Sequence, residues 1–130
     1  MKTIQIEQLY PGLTERIELL KKDRSALQKS RGIVEDALQD GKAYYGINTG
    51  FGALAGKRVD PENLKQLQRN LILSHSVGVG DLIPKEICRL MLQLKVHALA
   101  IGYSGISEET FERLMLFLEK DMIPAIPEKG

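Results

Sequence analysis

Tyr45-Gly46-Ile47-Asn48-Thr49-Gly50-Phe51-Gly52 sits in the middle of a segment, 41–58, that carries five of the chain's twelve glycines and interrupts an otherwise helical pattern. A connection of that length without structure of its own is uncommon inside a compact domain, and is more often a lid or binding loop than a plain link. The glycines permit positive φ angles, and Asn48 and Thr49 can fix the backbone through side-chain hydrogen bonds. Tyr45 is the proton-transfer candidate at the core of the loop. A phosphate-binding loop is excluded by spacing, because Gly52 and Gly56 have three residues between them where four are required, and Lys57 is followed by Arg58. A dinucleotide fingerprint fails as well, since Ala55 stands where the third glycine should be. Composition and spacing alone leave a lid and a plain connection equally open.

Outward from the loop the pattern is helical. Leu27, Ile33, Val34, Ala37 and Leu38 recur at three- and four-residue intervals and predict a helix near 23–39, stopped by Gly41. Downstream, Asp60 as a cap and Pro61 as the first helical residue open a helix near 61–76, with Leu64, Leu67, Leu71 and Ile72 as its apolar face. A third helix runs near 84–101, with Ile87, Leu90, Met91, Leu94, Ala98, Leu99 and Ile101 inward and Gly102 at its stop. Ser107, Glu108 and Glu109 start a fourth near 108–120, a hydroxyl cap followed by two carboxylates that favour a helix N-terminus. Its buried side is Phe111, Leu114, Met115, Phe117 and Leu118. Residues 1–22 read as an N-terminal arm, in which Lys2–Leu9 is a short strand or extended stretch and Pro11-Gly12 a turn. The third and fourth helices are apolar on more than one face, so other helices are expected to cover them. The closing stretch from Met122 is apolar and broken by prolines, and reads like a cut.

Composition narrows the class. Of 130 residues, 43% are hydrophobic and 27% charged, as in an ordinary globular domain, and no linker or repeat divides the chain. Eighteen basic and seventeen acidic residues are interleaved to a net charge of +1, which excludes nucleic acid as the main partner. With no Trp and only seven Phe and Tyr, the core must come from Leu, Ile, Val and Met, which suits packed helices. Cys88 is the single cysteine, a buried structural thiol by its apolar neighbours, so an internal disulfide is impossible. His97 is read as structural. Nothing suggests a signal peptide, a membrane span or a metal site, and a cytoplasmic protein is the simplest expectation.

The segment Tyr45 to Gly52 resembles the corresponding loop of the histidine ammonia-lyases. Leu54-Ala55, Leu67 through His75, Gly78-Val79-Gly80, Gly102-Tyr103-Ser104-Gly105 and Pro127-Glu128-Lys129-Gly130 are similar to the front of that family in the same order and spacing. The likeness runs from about Asp23 onward. It implies a mainly α chain, the helical N-terminal part of the all-α aromatic amino acid ammonia-lyase fold, with a long Gly-rich lid over 41–59.

By the resemblance, Tyr45 is the catalytic base that takes the substrate's β proton. His75 is the substrate-binding residue that lines the pocket around the substrate's ring, and Gly46, Asn48, Thr49, Gly50, Phe51 and Gly52 make up the lid. Arg69 and Asn70, polar groups carried on a helix, would support the lid and neighbouring subunits. The family's electrophile is a methylidene-imidazolone made from an internal Ala-Ser-Gly, and no Ala-Ser-Gly occurs in these 130 residues. The expectation is therefore the front portion of a lyase that converts L-histidine to trans-urocanate and ammonia, incomplete and inactive alone. Alternatives are a piece of a tyrosine ammonia-lyase or aminomutase, or a short binding or assembly module derived from a lyase. Apolar helix faces left uncovered in a shortened chain drive association, so self-association is expected alongside a small amino-acid substrate, with no nucleic acid or membrane partner; the resemblance implies tetramers for the complete enzymes only.

Overall fold

In the computed structural model, residues 9–129 are described. Five helices dominate them: α1 (Leu9–Lys22), α2 (Ser25–Gln39), α3 (Leu64–His75), α4 (Lys85–Ala100) and α5 (Glu108–Glu119). Two short strands, β1 (Val79–Leu82) and β2 (Pro127–Lys129), pair antiparallel with Val79 opposite Lys129 and Leu82 opposite Pro127. None of the helices is long and apolar enough to cross a membrane.

The arm expected over 1–22 is corrected by α1. Residues 2–8 of the proposed strand lie outside the described part, but from Leu9 the chain is helical straight through Pro11-Gly12. A proline in the first turn costs a helix nothing, because its missing N–H would have had no partner there. Leu13, Ile17 and Leu20, spaced four and three apart, then form a stripe that is at most 5% exposed.

That stripe packs on α4 and α5. The core joins Leu13, Ile17 and Leu20 to Leu27 of α2, to Leu92, Val96, Leu99 and Ala100 of α4, and to Phe111 and Met115 of α5. Burying each of the larger side chains contributes about 1.5–3 kcal/mol. The α5 face agrees with the sequence: Phe111 and Met115 are buried, Leu114, Phe117 and Leu118 pack around them, and the Ser107 hydroxyl accepts from the Thr110 N–H at 3.3 Å as cap. Arg24, in the α1–α2 joint, ties α2 to α5 through Glu108 (3.3 Å) and Glu112 (2.6 Å), with its guanidinium 5.9 Å above the Phe111 ring.

The face expected for α4 is largely the wrong one. Cys88, Leu92, Val96, His97, Leu99 and Ala100 are buried, whereas Ile87, Met91 and Leu94 are 38–49% exposed and Ala98 is exposed too. Both sets follow helical spacing, so periodicity could not choose between them; contact with α1 and α5 does. Likewise α3 buries none of its residues, and Ile33 of α2 lies outward. Asp60 makes no side-chain cap; its carbonyl instead accepts from Asn63 at 2.8 Å, and Pro61–Asn63 is a 3-10 turn ahead of α3.

His97 is the buried polar member of the α4 face, 8% exposed, and its Nε2 has no hydrogen-bond partner among the described residues. Burial, and then the positive charge of Arg16, push its pKa below the ordinary 6.5. The unfolded chain therefore takes up a proton near pH 6.5 that the folded chain refuses. Stability from this group is complete above that pH and is lost as the pH falls from there through the lower pKa of the folded state. Urea unfolding of the chain should show a falling midpoint between about pH 7.5 and 5.5, above the range where carboxylates titrate. His97→Gln should flatten that slope; an unchanged slope would remove His97 as its source.

Candidate functional site

Between α2 and the turn at Pro61 the chain is irregular yet tied to itself. Gly41 leaves α2 at φ 81°, a left-handed conformation glycine adopts freely. The Tyr44 hydroxyl donates to the Asp40 carboxylate, a bond that raises the phenol pKa and lowers that of Asp40, where the Lys42 N–H adds a second donor. Asn48 is 1% exposed and uses both ends of its carboxamide: Oδ1 accepts from the Tyr44 N–H at 2.7 Å, and Nδ2 donates to the Lys42 carbonyl at 2.8 Å. The Ile47 and Asn48 amides donate to the Tyr44 carbonyl at 3.1 and 3.2 Å. Past this knot the chain returns alongside itself, with Thr49 bridged to Arg58, Gly50 N–H on the Lys57 carbonyl (3.2 Å) and Val59 N–H on the Asn48 carbonyl (2.8 Å). Thr49, also 1% exposed, donates its hydroxyl to the Gly50 carbonyl at 2.9 Å. Gly52, at φ 56°, starts the 3-10 turn Gly52–Leu54.

Tyr45 stands out of this tied base. Its side chain is 68% exposed, and its ring meets the Phe51 ring edge-on, with centroids 5.8 Å apart and planes at 71°. Edge-to-face contact is a favoured aromatic geometry and limits where the ring can swing. A phenol carried on an anchored backbone and open to its surroundings can hand a proton to, or take one from, a ligand laid over the loop.

His75 is the last residue of α3 and is exposed. Its Nδ1 lies 2.9 Å from the Leu71 carbonyl and 3.0 Å from the Ser74 hydroxyl. Because a carbonyl only accepts, the bond to Leu71 requires the hydrogen on Nδ1, and the neutral ring then presents Nε2 as an acceptor. Just beyond, Gly78 passes so close to Pro127 of β2 that a Cβ would lie 2.7 Å from the proline Cγ, and Gly80, at φ 90°, runs beside Glu128. The strand pair thus joins the end of the His75 helix to the Pro127–Lys129 stretch.

Tyr45 and Phe51 are brought together, and Asn48, Thr49 and Gly50 form the interior of the loop. No hydrogen bond or ring contact joins Tyr45 to His75 among the described residues. Asn70 is engaged by Gln66 on its own helix at 2.7 Å. Two concavities, about 410 and 150 Å³, lie along α5 and between α1 and α5, lined by residues such as Arg24, Glu112 and Met115, with no loop residue in either. The Asp40–Tyr44 pair was missed in the sequence; its signal is the four-residue spacing across a helix end.

A model of the family described as aromatic amino acid lyase matches residues 2–130. The histidine ammonia-lyase of Anaeromyxobacter dehalogenans (strain 2CP-C) is 43% identical over 99% of this chain, which spans 26% of that relative. Among solved structures, a histidine ammonia-lyase from Trypanosoma cruzi aligns with TM-score 0.73 at 36% identity over 82% of this chain and 20% of its own. A tyrosine aminomutase from Streptomyces globisporus aligns with TM-score 0.74 at 37% identity over the same shares. The chain therefore spans only a fifth to a quarter of the relatives it matches. Its helical frame and its glycine-rich loop fall within one matched region, and the chain belongs to the aromatic amino acid lyase family.

Proposed function

We propose that this chain supplies the proton-transfer side of an ammonia-lyase site, as the front part of a protein that converts L-histidine to trans-urocanate and ammonia. The observation that carries the reading is Tyr45 itself, an exposed phenol on a loop whose interior is locked by buried Asn48 and Thr49, in a chain of this family. In the proposed reaction Tyr45 takes the β proton while the amino group leaves from the neighbouring carbon. Loop 41–59 acts as a lid: with substrate beneath it, closure excludes water and sets the phenol against the reacting carbon.

In the family a methylidene-imidazolone supplies the electrophile that makes the amino group a leaving group. These 130 residues contain no Ala-Ser-Gly from which to form it, so it comes from outside them and the chain's own share is the base and the ring-binding side. His75 suits that second task. Its Nε2, left as an acceptor by the Nδ1 bond to Leu71, can receive the N–H of a substrate imidazole. The same acceptor would receive a phenolic hydroxyl, which favours tyrosine as the second candidate substrate, in line with the likeness to a tyrosine aminomutase. In the complete protein the outward stripe Ile87–Met91–Leu94 and the bare face of α3 are covered by further helices or by other subunits.

The test is direct. Purified as 130 residues and given L-histidine, the chain should produce no urocanate absorbance; measurable turnover would overturn the claim that the electrophile lies elsewhere.

A further inference from the structure

We infer that Asn48 is the positioning residue for Tyr45, acting from inside the loop; this rests on the reading of Tyr45 as the base. The phenol has little to hold it directly. Its ring touches Phe51, and otherwise its place is set by the backbone that carries it. That backbone is bracketed by two glycines in left-handed conformations, Gly41 at φ 81° and Gly46 at φ 79°. Neither glycine would have a Cβ within 4 Å of a neighbour, so these glycines serve conformation and not close approach, and the stem between them is free to swing unless something else fixes it.

Asn48 fixes it. Four hydrogen bonds meet at this one residue. Its side chain reaches back to the Lys42 carbonyl and the Tyr44 N–H, its own N–H reaches the Tyr44 carbonyl, and its carbonyl receives the Val59 N–H from the returning arm. Tyr44, immediately before Tyr45, is thereby held at both its amide and its carbonyl, and its hydroxyl is held by Asp40. The site is 1% exposed, so water cannot take the place of a lost partner without the loop opening. It also demands both functions of a carboxamide. A carboxylate at 48 would keep the bond from Tyr44 but would face the Lys42 carbonyl with no hydrogen to give. Asn48 stays below the surface on which Tyr45 stands, so its effect on turnover passes through the placement of the phenol.

The experiment uses the complete lyase that carries this chain, comparing Tyr45→Phe, Asn48→Ala, Asn48→Asp and the double variant Tyr45→Phe/Asn48→Ala. A displaced catalytic group of about 1 Å costs on the order of 100-fold. Asn48→Ala is expected to lower kcat by about that factor with KM within about threefold. Asn48→Asp, nearly isosteric, keeps the bond from Tyr44 but sets a carboxylate against the Lys42 carbonyl, and should lower kcat as well. The double variant should be no slower than Tyr45→Phe alone, because a residue acting through Tyr45 has nothing to position once the phenol is gone. An unchanged kcat in Asn48→Ala, or a double variant markedly slower than Tyr45→Phe, overturns the positioning role while leaving the base reading intact. Near-normal turnover in Tyr45→Phe overturns the base reading itself. Should Asn48→Ala fail to fold, Asn48→Asp carries the same comparison.

Discussion

Tyr45→Phe in the complete lyase should lower kcat by about 10²–10⁴-fold, the range supplied by a positioned general acid or base. The substitution removes one oxygen and leaves the ring, so the edge-on contact with Phe51 and the hydrogen-bonded base around Asn48 should survive. Substrate binding should change little, and KM should stay within a few-fold, because proton removal is confined to the transition state. Steady-state urocanate formation separates the two parameters. A loss confined to KM would make Tyr45 a binding group, and near-normal kcat would remove it from the reaction.

The second large effect concerns the frame. Gly102→Ala should destabilise the chain by about 2–5 kcal/mol, combining about 1–2 for a left-handed non-glycine residue with about 1–3 for forced packing. Gly102 sits at φ 87°, and a Cβ there would lie 2.4 Å from the carbonyl oxygen and 2.7 Å from the carbonyl carbon of Ala26. Those are backbone atoms of α2 that cannot turn aside. Gly105, at φ 65°, would meet the Val34 Cγ2 at 2.2 Å, and a side chain can change rotamer, so Gly105→Ala should cost less. This is the physical content of the Gly102-Tyr103-Ser104-Gly105 motif. Its glycines let the α4–α5 connection lie directly on α2, where the Gly105 N–H donates to the buried Ser30 hydroxyl at 2.9 Å. Gly32, inside α2 with open space around it, is the control, and Gly32→Ala should stabilise by about 0.5–1 kcal/mol. Urea unfolding midpoints of the four chains give the order; Gly102→Ala matching the parent would refute the close approach.

How far the sequence reached can be traced residue by residue. The spans of α2, α4 and α5 were legible because apolar spacing, the Ser107 cap and the glycines at 41 and 102 all act locally. The packed face of α4 was not, since Cys88–Leu92–Val96–Leu99 and Ile87–Met91–Leu94–Ala98 are equally good stripes and only tertiary contact, chiefly with α1 and α5, breaks the tie. The first helix was misread where Pro11-Gly12 resembled a turn, although the Leu13–Ile17–Leu20 stripe was there to be counted. The strand pair was invisible, as Val79 and Lys129 lie far apart in the chain and Gly80 argues locally against a strand. In the loop, the sequence pointed to Asn48 and Thr49 as backbone-fixing groups, and both are buried and hydrogen-bonded in that way. The Asp40–Tyr44 anchor was overlooked despite its four-residue spacing, and nothing local showed that the carboxamide of Asn48 spans both Lys42 and Tyr44.

The central claim is that Tyr45, carried on this anchored loop, stands against the reacting carbon of an aromatic amino acid. A crystal structure of the complete protein with bound L-histidine tests it most directly. The account predicts the Tyr45 hydroxyl about 3–3.5 Å from the substrate's β carbon, the separation of a near-attack arrangement, with the imidazole against His75. A closed loop in which the Tyr45 hydroxyl points away from that carbon, with another side chain in reach of its proton, would contradict it.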